Sequence, residues 1–224
     1  MEDRDLVTKA LEHLEKREWP IRLLDRIIPH VSFEELLPAM QIFFISIDPT
    51  QDEKSIALSF LAKAADRYGG STILVALHHI SEVPLRRMVE YIQLALTLLK
   101  PDAIAAALTT MVSSDDGTTL PPMLMRTLIQ SVTLHRPLTG LVVGLLARLV
   151  GKEIWRDQPK LWEGFIRCVK TLGSSAHAAM IQLPPEQLGQ VLVAIPEMRD
   201  AFLIYLKQQS ATMQSKYSAI ISSE

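Results

Sequence analysis

Residues Leu120–Leu192 read LPPMLMRTLIQSVTLHRPLTGLVVGLLARLVGKEIWRDQPKLWEGFIRCVKTLGSSAHAAMIQLPPEQLGQVL. Apolar residues recur at three- and four-residue steps through Leu138, Leu141, Val142, Leu145 and Leu149. They do so again through Leu161, Phe165, Val169 and Leu172, the period of a helix with one apolar face. Prolines at 121, 122, 137, 159, 184 and 185 punctuate the run, each placed where an early helical position accepts it. The stretch therefore reads as short helices folded back on one another, with no competing strand signal.

Outward from this centre the same grammar holds. Residues Glu2–Arg17 carry an apolar face on Leu6, Val7, Ala10, Leu11 and Leu14, and a second stripe at residues 23–28 ends at Pro29. Ser32 with Glu35 forms a capping box, while Pro38 inside the following segment predicts a kink or a start delayed toward Leu37. Thr50 and Glu53 make a second capping box, Gly69-Gly70 ends that helix, and Ser71 is placed to cap the next. Pro84 and Pro101 open further helices, and Ser113–Thr119 is the most loop-like stretch. After the centre, Pro185 and Pro196 introduce two more helices, followed by a polar tail with helical spacing. The expectation is an all-α chain of roughly a dozen short helices, at least nine, paired as HEAT-like hairpins in a solenoid. It is read as one domain over 1–224, with a possible subregion 1–68 ahead of 69–224.

Composition agrees. Of 224 residues 48% are apolar and only 6% aromatic, which favours helix packing over sheet. A net charge of −2 and a pI near 6.3 argue against bare nucleic acid as the main partner. The distribution is uneven: Leu120–Leu172 holds eight Lys or Arg against three Asp or Glu, a local +5. A single cysteine, Cys168, excludes an internal disulfide framework and fits a reducing compartment. The longest apolar run falls short of the ~20 residues that span a bilayer, so no membrane segment is expected.

Catalytic signatures are missing. None of the six histidines has a metal-ligand spacing, and surface or capped roles are expected for them. Asp115-Asp116-Gly117 lacks the alternating ligands of a calcium loop and reads as an ordinary turn. No nucleophile elbow or phosphate-cradling glycine loop occurs. Cys168 lies on the face of Phe165 and Leu172, as a small buried hydrophobe would, and Gly140-x-x-x-Gly144 predicts a close helix contact. No cofactor and no metal are expected. What remains is surface. Arg126, Arg136, Arg148, Lys152, Trp155 and Arg156 are the candidate protein-binding residues, because Arg and Trp are enriched at binding hot spots.

Three blocks carry a resemblance to a known family: PPMLMRTLIQS (Pro121–Ser131), KEIWRDQPKLWEGFIRC (Lys152–Cys168) and QLPPEQLGQVL (Gln182–Leu192). In this order they resemble the C-terminal domain of symplekin, the scaffold of pre-mRNA 3′-end cleavage. GGSTILVALHHI (Gly69–Ile80) is similar to a further block. The resemblance implies a nuclear, non-enzymatic scaffold. It would bind subunits of the cleavage and polyadenylation specificity factor, namely the endonuclease and its inactive paralogue, without direct RNA contact. The family's N-terminal HEAT domain, which engages a phosphatase, has no counterpart in these residues. Two other readings stand beside this one: a helical-repeat adaptor outside 3′-end processing, and an RNA-binding repeat using the +5 region, which steep salt dependence would reveal.

Overall fold

The computed structural model describes residues 28–47, 53–113 and 120–218. Among these residues the chain is all-α, with twelve α-helical segments, three 3-10 turns and no strand. It divides into two compact units, 1–123 and 124–224. Residues 68 and 69 fall inside the first unit. The first N-terminal stripe, the second as far as Ile27, the Thr50 half of the second capping box and the Asp115-Asp116-Gly117 turn lie outside the described residues.

The first unit holds α1 (Phe33–Ser46), α2 (Lys54–Tyr68), α3 (Gly70–His79), α4 (Leu85–Leu98) and α5 (Pro101–Ser113). The Ser32 Oγ accepts from the Glu35 amide and the Glu35 carboxylate accepts from the Ser32 amide at 2.8 Å, so the box expected from sequence is formed. It overrides Pro38: α1 starts at Phe33 and runs through the proline without delay. Pro38 deprives only the Glu34 carbonyl of a donor. Residues 34 and 38 are both exposed, so water can take that place, while Leu36, Met40, Phe43 and Phe44 anchor the other face.

Two other helix starts differ from the sequence reading. Glu53 itself stands at the N-cap of α2 with no side-chain capping bond. Ser71 lies within the first turn of α3 rather than capping it, because Gly69 at φ 89° reverses the chain and lets the helix begin at Gly70. The core of this unit is aromatic. Phe43 stacks on Phe60 at 4.4 Å, Phe44 meets Phe60 edge-on, and Tyr91 closes on Phe44 at 4.4 Å, tying α1, α2 and α4 together. Each such side chain contributes on the order of 1.5–3 kcal/mol by leaving water.

The second unit holds α6 (Leu124–Leu134), α7 (Thr139–Gly151), α8 (Pro159–Leu172), α9 (His177–Met180), α10 (Pro185–Ala194), α11 (Arg199–Lys207) and α12 (Ala211–Lys216). The 3-10 turns Arg136–Leu138, Gly173–Ala176 and Pro196–Met198 lead into α7, α9 and α11. Pro159 and Pro185 occupy first-turn positions as the sequence predicts; Pro196 opens a 3-10 turn instead of the α-helix itself. In α8 the face of Leu161, Trp162, Phe165, Cys168 and Val169 is buried, while Lys160, Glu163, Arg167 and Lys170 are exposed.

The close helix contact lies elsewhere than expected. Around Gly140 and Gly144 a Cβ would meet nothing within 4 Å, whereas at Gly164 it would stand 2.6 Å from the Cβ of Met125. Gly164, not the Gly140/Gly144 pair, is what lets α8 lie against α6. A recurring device secures the helix ends. The hydroxyls of Tyr68, Tyr91 and Tyr217 each lie within bonding reach of two backbone carbonyls: those of Ile28 and Val31, of Phe44 and Ile47, and of Ile181 and Leu183. The last two hydroxyls are buried, and their carbonyls belong to chain ends that no helix ladder satisfies.

Candidate protein-docking surface

The six candidate residues are all in the second unit. Arg126 sits in the first turn of α6 and Arg136 opens the 3-10 turn that links α6 to α7. Arg148 and Lys152 occupy the end of α7, where the Lys152 amide donates to the Arg148 carbonyl at 3.1 Å and the four-residue spacing sets both side chains on one face. Both are exposed, as are Arg126, Arg136 and Arg156. Four of the candidates, Arg148, Lys152, Trp155 and Arg156, follow one another along the last turn of α7 and the turn after it. Arg136 stands before the start of α7, roughly 18 Å from them along the axis of that helix at the usual helical rise.

The turn after α7 has its own logic. Glu153 takes a left-handed conformation, φ 49°, and its amide donates to the Val150 carbonyl, which closes the helix without a glycine. Its carboxylate then receives Arg156 through two contacts, Nε at 3.0 Å and Nη2 at 3.2 Å. Arg156 is thus paired with an acid already counted in the +5, whereas Lys170 is neutralised from outside that stretch, its ammonium meeting Glu197 at 2.9 Å. That contact holds the Glu197 carboxyl below its ordinary range. Both pairs are exposed, so each contributes little to stability.

Trp155 is half-buried and meets Trp162 edge-on at 5.8 Å. Trp162 in turn stacks on Phe165 at 5.1 Å and donates its indole N–H to Gln190 at 3.1 Å. The exposed edge of Trp155 is the outer rung of an aromatic ladder that reaches the core. An anchor so held loses little side-chain entropy on binding, which is what a hot spot requires.

Other groups of interest are structural. Cys168 is fully buried and burial pushes its thiol up to about 12, so the thiolate that nucleophilic chemistry needs is suppressed. His78 corrects the expectation of a surface or capped histidine: it is 7% exposed, its Nδ1 lies 2.8 Å from the Leu74 carbonyl, and desolvation lowers its pKa to about 4. His177 is also buried, against the rings of Phe202 and Tyr205, and desolvation lowers its pKa too. Among the described residues no group of His, Cys, Asp and Glu is arranged to hold a metal ion, and no helix is long and apolar enough to cross a membrane. The sequence reading missed a set of hydroxyls near Arg136, on Thr133, Thr139, Thr171 and Ser175. Their positions span 42 residues of chain with no shared motif, so only the fold brings them together.

The second unit thus presents five exposed arginines and lysines and a half-buried tryptophan among the six candidate residues. The family model described as symplekin tight junction protein C terminal matches residues 9–195, well over half of the chain. The chain belongs to the symplekin C-terminal family, and that family points to a scaffolding role in pre-mRNA 3′-end processing. No solved structure matches the chain.

Proposed function

We propose that this chain is a non-enzymatic scaffold domain of the nuclear cleavage and polyadenylation machinery, holding the endonuclease subunit and its inactive paralogue in position. The observation that carries this reading is the family match across residues 9–195. Arg148, Lys152, Trp155 and Arg156, with Arg126, are the docking residues in this account. Its cations would steer an acidic partner and set the on-rate, and Trp155 would supply the desolvated contact. Direct RNA contact has no part in the reading, since the chain carries a net charge of −2.

The test is affinity capture from nuclear extract with the wild-type chain and with the Trp155→Ala variant. Recovery of the endonuclease and its paralogue by the wild type, and their loss with the variant at unchanged folding, is the expected result. A second reading draws on the words "tight junction" in the family description: an adaptor outside 3′-end processing. Capture of junction proteins with no cleavage subunit would favour it.

A further inference from the structure

Between the ends of α6 and α8 and the start of α7 lies a cleft of ≈ 370 Å³, lined by Thr133, Arg136, Thr139, Thr171 and Ser175 over an apolar floor. The volume is at the small end of the roughly 300–1,000 Å³ of ligand clefts. Its walls hold no carboxylate: there is no Asp or Glu from Leu120 to Lys152, nor from Gly164 to Pro185. Arg136 is exposed and has no ion-pair partner among the described residues.

Two helix ends oppose an anion here. Thr133 and Thr171 lie in the last turns of α6 and α8, where carbonyl dipoles point outward. Some of those carbonyls are engaged: Ser131 accepts from the His135 amide and Val169 from the Gly173 amide, while the Thr133 and Thr171 hydroxyls donate back to the Ile129 and Arg167 carbonyls. On the other side α7 begins at Thr139, which lines the cleft, and no side chain caps its first turn. The balance is one full positive charge, one helix start without a side-chain cap and four hydroxyls, of which those of Thr133, Thr139 and Thr171 donate to backbone carbonyls.

We infer that this cleft is a phosphate-monoester site, taking a phosphorylated serine or threonine side chain of a protein. A single cation among hydroxyls in a short cleft suits one compact dianion, which a phosphoryl group supplies. A nucleic-acid backbone needs a track of cations, and the cleft has one. The inference borrows from the scaffold reading only that the ligand is borne by a protein; the anion chemistry is independent of which partner docks.

The test titrates the ¹⁵N-labelled full chain with a capped Ala-Ala-phosphothreonine-Ala-Ala peptide, its unphosphorylated twin and a uridine decamer. The phosphopeptide should move the amides of Thr133, Thr139 and Ser175, and the twin should not. Arg136→Gln should weaken binding about tenfold or more, while Lys207→Gln, the same charge removed from α11, should leave it unchanged. Absent shifts, shifts that survive Arg136→Gln, or stronger binding of the decamer at the same amides would each overturn the inference. So would a lowered melting temperature in Arg136→Gln, which would mark Arg136 as a neutraliser of helix ends. The probes contain no partner subunit, so the result is separate from the fate of the docking proposal.

Discussion

Substituting alanine for glycine at two helical positions of the second unit should move stability in opposite directions. At Gly144 an added methyl meets nothing within 4 Å, so Gly144→Ala removes unfolded-state entropy without a clash and should stabilise by about 0.5–1 kcal/mol. The same gain applies at Gly164, but there the new Cβ would stand 2.6 Å from Met125 Cβ and 2.9 Å from Met125 Cγ. The Cβ of Met125 is fixed to the α6 backbone, so no rotamer change relieves the contact and the helices must separate. Such overpacking costs about 1–3 kcal/mol, which outweighs the propensity gain and leaves Gly164→Ala destabilised by about 1 kcal/mol. Urea unfolding followed by tryptophan fluorescence reads both variants, because Trp162 is buried in this unit. Equal stabilisation by the two substitutions would refute the close crossing of α6 and α8.

Leu145 is 1% exposed on α7, and Leu145→Ala should cost about 2–5 kcal/mol in the same assay. Reversing Arg148 and Lys152 to Glu together should leave folding nearly unchanged, since both are exposed, while weakening partner binding about thirtyfold in a titration. Acid should destabilise the fold through its buried histidines. His78 stays neutral in the folded chain down to about pH 4, whereas the unfolded chain takes up the proton near 6.5. Its stabilising effect is therefore full above pH 6.5 and lost as pH falls toward 4, at about 1.4 kcal/mol per unit, and His177 acts in the same direction. Urea midpoints between pH 7 and pH 5 should show a shallower decline for His78→Leu than for the wild type.

The helix starts that were legible from sequence are those decided locally. Pro101, Pro159 and Pro185 each stand at the first helical position, where the missing N–H removes nothing, and Ser32 with Glu35 closes its own box. What escaped depends on partners far along the chain. A glycine spacing cannot reveal whether another helix lies over it, so Gly140 and Gly144 promised a contact that Gly164 makes with Met125. The burial of His78 is set by how its neighbours pack, and the tyrosines that reach carbonyls 34–47 residues away leave no pattern in sequence. The candidate docking residues were chosen for chemistry alone. The fold then places Arg148, Lys152, Trp155 and Arg156 along the end of α7 and its following turn, and leaves Arg136 beside a hydroxyl-lined cleft that no motif announced.

The scaffold account is tested most directly by titrating the purified chain against the co-expressed C-terminal regions of the endonuclease and its inactive paralogue, in an isothermal calorimeter. The account predicts a saturable, stoichiometric complex whose affinity falls when Trp155 is replaced by alanine. No heat of binding from a chain that is helical and melts cooperatively would contradict it.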